Sequence, residues 1–433
     1  MSDRRPKQGP VRRVLRAARR ALHRLVHPEH VEERAQIDRL TKAVTAAAAA
    51  ERKQLDRLNL RLKGLSARLS QTALQADVRD LGRRIDRARE ASLRQRYVLS
   101  RALKFAEWDE ELRVEERRIT QRLARIAKSD RPVLVGPWTG EVGFELLYWV
   151  PFVTWALRRA NVAPGRVVIV SRGGPASWYA HVGGRYLDVL THVTPDQFRA
   201  RTEERKKQWT MGPFEREIVR TMVATAGLER PILLHPGLMY RLFMPFWRQR
   251  ATVRRIEAYT QHEPVRVPTV SALTGRLPER YVAVRFYFNA SFPDTPANRA
   301  FVESTVASLA ATTHVVLLNT PFHVDDHRDF TADGSPRVHT VSDLMTPDAN
   351  LELQTAVIAR ASAFVGTYGG YAYLAPLCGV PSLAFYSVRR QFHAHHLDLA
   401  QRVFRAMEAG SLVTLDVRDA EMVRTAMASM PHA

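Results

Sequence analysis

With 433 residues and 45% hydrophobic content, the chain has room for two or three domains and enough apolar material for a sizeable core. Its one cysteine, Cys378, excludes an intramolecular disulfide and fits a reducing compartment. No stretch approaches the roughly 20 apolar residues of a membrane-spanning helix, and the N-terminal MSDRRPKQGPVRRVLRAARRALHRLV lacks the apolar region of a secretory signal.

The net charge of +22 is unevenly spread: residues 1–130 hold 33 Lys and Arg against 18 Asp and Glu, the rest 33 against 26. The basic third is suited to an anionic membrane or another polyanion, while the remainder has the balance of an ordinary enzyme body. Nucleic acid is a poor partner, because residues 1–96 contain no aromatic side chain to interleave with the basic ones.

In chain order, residues 1–30 form a basic arm. Val11, Val14, Leu15, Ala18, Leu22 and Val26 share one helical face, with Arg12, Arg13, Arg16, Arg19, Arg20 and Arg24 around it. Such a helix either lies on acidic lipid or stands solvated as a basic arm. Residues 31–130 read as helix and coiled coil. Leu55, Leu58, Leu62, Leu65 and Leu69 repeat at 3-4-3-4 spacing, and Leu74, Val78, Leu81, Ile85 and Ala88 continue after a phase break. The seam has to be buried, either by self-association into a homo-oligomer or against the catalytic body, and the continuously charged opposite face favours the homo-oligomer.

From Arg131-Pro132 the pattern changes. Continuous apolar runs at Val133–Val135, Val167–Val170, Ile232–Leu234, Tyr281–Phe286, Val315–Leu318, Phe364–Val365, Ser382–Tyr386 and Leu412–Leu415 predict parallel strands covered on both faces. Helical stretches between them make this an α/β body, and the proline-marked stretch from His262 to Pro278 predicts the hinge between two sheets. A last helix is expected over Asp419–Met430.

The first strand enters a glycine turn, Gly136-Pro137-Trp138-Thr139-Gly140-Glu141-Val142-Gly143, ahead of an apolar helix over Phe144–Trp155. Glu141 stands where open α/β sheets bind ligands, as a general base or as a partner of the helix N-terminus. Gly140 and Gly143 flank it. Glu145, one turn on, is a second candidate for the substrate or for pairing with a cation.

Arg285 interrupts the strand YVAVRFYF and requires a partner, either a phosphate or a structural carboxylate. Asn319 and Thr320 end a later strand as polar groups suited to a base or ribose. The stretch ASAFVGTYGGYAYLAPLCGVPSLAFYS reads as strand, turn, helix and strand. Its turn, Gly366, Thr367, Tyr368, Gly369 and Gly370, either admits a diphosphate to a helix N-terminus or is a tight βα connection. His323, Asp325, Asp326 and His327, and then His393, His395 and His396, lack the spacing of a zinc enzyme, so no metal site is assigned.

Asn350–Tyr386, with its glycine turn, helix and Gly-Val-Pro strand, resembles the donor segment of GT-B glycosyltransferases of the heptosyltransferase type. Gly140-Glu141-Val142 resembles their early Gly-Asp-Val turn, whose acidic residue serves as base. The resemblance implies two Rossmann-like domains behind the coiled coil: 131–270 for the acceptor and 271–433 for the nucleotide sugar. It puts the base on Glu141 and the donor on Arg285, Asn319, Thr320 and Gly366–Gly370. It implies inverting, metal-independent sugar transfer to a glycan or glycolipid, in the cytoplasm or on the inner membrane face, with a nucleotide sugar as co-substrate and no other cofactor. Two departures stand out. Thr367-Tyr368-Gly369-Gly370 replaces the family's Asp-Thr-Gly-Pro turn, and its lysine early in the second domain has no counterpart. Another transferase on this fold, such as a polysaccharide pyruvyl transferase, and a coiled-coil scaffold with a degenerate body remain as alternatives.

Overall fold

The computed structural model describes residues 113–202, 207–324, 327–331 and 335–420, together with scattered positions between 46 and 87. The chain divides into two compact units, Met1–Arg113 and Val114–Ala433. In the first unit every described position is helical. The basic stripe over 11–26 and the leucine seam, apart from half-buried Leu58, lie outside the described residues, as does the terminal helix beyond 420. No described helix is long and apolar enough to cross a membrane.

The second unit begins with a helix, α1 (residues 114–127), before the first strand. Ile119, Leu123 and Ile126 are buried in the same core as that strand, and Glu115 and Glu116 pair with Arg241 and Arg255 at 3.0 and 2.8 Å. The boundary expected at 130/131 is therefore corrected to Val114. The dense charge of α1 resembles that of the sequence before it, but its apolar 4-3 spacing serves the body.

Each apolar run predicted as a strand forms one. β1 (Val133–Val135), β2 (Val167–Ser171), β3 (Arg185–Asp188) and β4 (Ile232–Leu234) make a four-stranded parallel sheet in the order β3-β2-β1-β4. A second parallel sheet combines β5 (Tyr281–Arg285), β7 (His314–Leu317), β9 (Val338–Thr340), β10 (Ala363–Thr367), β11 (Ser382–Tyr386) and β12 (Leu412–Asp416). Its order is β12-β11-β10-β5-β7-β9. Counted from its own first strand, this is the doubly wound Rossmann order, and the smaller sheet has the first four strands of the same order. Two-residue strands β6 (Tyr287–Phe288) and β8 (Arg328–Asp329) pair antiparallel beside it.

The central strands of both sheets are buried runs rich in β-branched and aliphatic residues, as strands covered on both faces are. Strand order reverses between β1 and β4 in one sheet and between β5 and β10 in the other. Crevices at the carboxyl ends of such reversals are where open α/β sheets hold ligands. The predicted βαβ unit is present as β10, a helix over Gly370–Leu377, and β11, with Phe364 opposite Ser382 and Thr367 opposite Phe385. One apolar core runs from Ile119 through both sheets to Leu412.

The stretch expected as a hinge is fastened at its start. Gln261 N–H donates to the Pro151 carbonyl at 2.9 Å, and Val265 N–H donates to the Leu377 carbonyl at 2.9 Å. His262 Nε2 donates to Leu147 O at 3.1 Å, and its burial pushes the imidazole down to about 4.

Candidate functional site

The turn after β1 is held by side chains from elsewhere in the first sheet's layer. Gly136 has φ +112°, and a Cβ there would lie 2.3 Å from the Val170 carbonyl oxygen, so only glycine fits. Gln208 accepts from Thr139 N–H at 3.0 Å and donates to Pro137 O at 2.8 Å, while Arg172 donates to Gly140 O at 2.6 Å. This bracing presents Glu141 at the start of α2. That helix runs through Val142–Phe144, a π-helical segment Glu145–Trp149, and Val150–Arg159. Glu141 has extended φ and ψ and its side chain does not cap the helix. Its carboxylate is half-exposed and lies 3.5 Å from Lys207 Nζ.

Glu145 does not share that surface. It is 0% exposed. Its Oε1 accepts from Ser171 Oγ at 2.5 Å and Tyr179 Oη at 2.7 Å, and Oε2 has no partner among the described residues. Burial raises the carboxyl to about 7, against the opposing charge of Arg172. The substrate-contact expectation for Glu145 is corrected accordingly. Glu141 is extended and outside the helix, so a four-residue step does not bring the two carboxylates onto one face.

The second turn leaves β10. Thr367 is fully buried, and its Oγ1 accepts from Tyr287 N–H at 3.0 Å and donates to Tyr287 O at 2.9 Å, fixing β6. Tyr373 Oη donates to Tyr368 Oη at 2.7 Å. Glycine is required for space: a Cβ on Gly366 would meet Arg285 O at 2.0 Å, and one on Gly369 would meet Tyr287 Oη at 2.0 Å. A Cβ on Gly370 would meet Gly143 N at 2.7 Å, while one on Gly143 would be 3.3 Å from Gly370 Cα. The two glycine turns, one from each sheet's reversal point, therefore abut.

Arg285, which ends β5, takes the structural alternative. Its Nε and Nη2 donate to Asp329 at 3.1–3.2 Å, Nη1 donates to Gln354, and the guanidinium lies 4.0 Å from the Tyr371 ring centre. Thr320 joins the same carboxylate through its N–H at 2.8 Å and Oγ1 at 3.0 Å. Asn319 Oδ1 lies 3.5 Å from Thr340 Oγ1.

Aromatic residues surround the meeting of the turns. Phe144 is 5.3 Å from Tyr148, 5.3 Å from Trp247 and 5.4 Å from His396, ring centre to ring centre. Lys207 Nζ sits 3.4 Å from the Phe144 ring centre. Tyr148 Oη and His396 Nδ1 are 2.5 Å apart, joining residues from the two sheets' layers. Burial, then His395, His393 and Lys207, hold His396 well below the usual imidazole range. Among the described residues no group of three or more His, Cys, Asp or Glu is arranged to hold a metal ion. Sequence reasoning missed Lys207, Tyr148 and the pairing of His396. In the sequence the cluster of His393, His395 and His396 reads only as a metal motif of the wrong spacing.

No family model matches the sequence, and no curated protein matches it. Among solved structures, the chain is similar to the dodecameric, iron-containing glycosyltransferase TibC from enterotoxigenic E. coli. Identity is 14% and TM-score 0.34, over 59% of this chain and 58% of that one, so the match spans less than two thirds of TibC. It is similar to a glycosyl transferase family 9 protein from Veillonella parvula at 13% identity and TM-score 0.38, over 70% and 91% of the two chains. It is also similar to E. coli heptosyltransferase WaaC with ADP, at 14% and 0.37, over 68% and 99%.

Proposed function

We propose that the Val114–Ala433 body is a GT-B-like glycosyltransferase that moves a sugar from a nucleoside diphosphate to a hydroxyl acceptor with inversion and without a metal. The observation that supports this most is the abutment of the two glycine turns at the reversal points of two Rossmann-ordered sheets, with Glu141 half-exposed beside it. Such a crevice can hold a nucleotide against one sheet and an acceptor against the other.

In this reading Glu141 takes the proton of the attacking hydroxyl as the new C1–O bond forms. The bond from C1 to the diphosphate breaks with its electron pair on the phosphate oxygen. The first sheet's layer receives the acceptor, and the second, with the 366–370 turn, receives the donor. Arg285, through Asp329 and Gln354, fixes the shape of the donor turn. The setting is bacterial surface-glycan synthesis, in the cytoplasm or at the inner membrane face.

Glu141→Gln should lower turnover by roughly 10²–10⁴-fold, with donor affinity nearly unchanged. Near-wild-type turnover removes Glu141 from the chemistry. A thermal-shift panel of ADP, UDP, GDP, TDP, CMP and their sugars, ADP-heptose included, identifies the donor. Activity should survive EDTA; loss restored by magnesium or manganese defeats the metal-free mechanism.

A further inference from the structure

Positive charge stabilises a departing diphosphate, and two arginines near the turns are buried. Arg285 is bound into the buried network with Asp329 and Gln354. Arg172 is 4% exposed, donates to Gly140 O, and balances Glu145. Lys207 differs in position. Its side chain is 35% exposed, and its ammonium touches both the Glu141 carboxylate and the Phe144 ring at the start of α2. That ring also contacts His396 from the other sheet's layer, so the ammonium stands where the two layers meet.

We propose that Lys207 binds the diphosphate of the donor, exchanging its 3.5 Å contact with Glu141 for a phosphate oxygen as the donor enters. The proposal rests on the glycosyl-transfer reading above. The exchange is favourable because a single long contact between partly exposed charges is weak, whereas a phosphate concentrates more charge on the same ammonium. In the transfer, the acceptor proton goes to Glu141, and the electron pair of the broken C1–O bond stays on the phosphate beside Lys207.

The test is calorimetric titration of the full chain and its Lys207→Met and Lys207→Arg variants with ADP, UDP and GDP, and with adenosine, uridine and guanosine. For the diphosphate that wild type binds, Lys207→Met should weaken affinity about tenfold or more, the loss of one hydrogen bond to a charged group. Affinity for the matching nucleoside should be unchanged, and Lys207→Arg should restore most of the loss. Unchanged diphosphate affinity in Lys207→Met overturns the proposal, as does an equal loss for nucleoside and diphosphate, which marks a structural role. If wild type binds none of the three diphosphates, nor pyrophosphate, the glycosyl-transfer reading falls first and this proposal with it.

Discussion

Glu141 and Glu145 are four positions apart on one helix start, yet one faces solvent and the other is sealed among Ser171, Arg172 and Tyr179. The buried carboxyl makes stability depend on pH with a definite sign. Its ordinary value of 4.5 rises to about 7 in the folded chain. Between these values the folded chain keeps a proton that the unfolded chain has lost. Stability contributed by this group is therefore full below 4.5, falls as pH rises through 7, and ends roughly 3 kcal/mol lower. Glu145→Gln stays neutral throughout. Urea unfolding at pH 5 and pH 8 should show wild type losing stability relative to the variant; equal losses would put the titration elsewhere. Arg285 gives a second residue-scale expectation. Removing it leaves Asp329 buried without its main cation, so Arg285→Ala should cost about 3–5 kcal/mol in unfolding experiments. Any drop in nucleotide affinity in that variant has to be compared with this loss.

Among elements, the start of α2 and the helix over Gly370–Leu377 are in backbone contact. Gly370→Ala places a methyl 2.7 Å from Gly143 N, a gap that backbone atoms can open only by moving a whole turn. A destabilisation of roughly 1–3 kcal/mol is expected, with turnover reduced more than stability because the turns would no longer meet. Wild-type turnover would show that their contact has no part in the chemistry. The central strands were legible because runs such as VVIV are short, β-branched and bounded by turn residues, which favours a covered parallel strand over a buried helix. The strands missed were β3, whose RYLD mixes charged and apolar residues with only Asp188 buried, short β6 and β8, and β9, whose VHT lacks full burial. Edges carry little apolar pattern. The glycine turns were legible, but their mutual contact was not, since it depends on how two sheets pack. The π-helical segment that buries Glu145 through Trp149 leaves no mark in an apolar run. Lys207 ends a charged run of sequence with no periodicity, and Tyr148 finds His396 only after the chain has folded over.

For the whole molecule, the position at which the body begins decides how the N-terminal third can be removed. Composition put that boundary at 130/131, after the last of the dense charge. Packing puts it at Val114, because Ile119, Leu123 and Ile126 of α1 belong to the core that also contains Val133, Trp149 and Leu234. Arg166 Nη2 donates to Ile126 O at 3.1 Å, and Arg241 and Arg255 hold the helix by Glu115 and Glu116. A chain lacking residues 1–113 should therefore fold and bind the same nucleotide as the full chain. One lacking 1–130 removes three buried side chains; at roughly 1.5–3 kcal/mol for each, that is a large part of the roughly 5–15 kcal/mol typical of a domain. It should be aggregated or show a strongly lowered Tm. If the leucine seam drives assembly, the 1–113 deletion should also be monomeric by light scattering while the full chain is oligomeric. Removal of residues 1–30 alone should leave the oligomer intact and abolish salt-sensitive binding to anionic vesicles. An equally stable 1–130 deletion would return α1 to the arm, and a monomeric full chain would deny the seam its role in assembly.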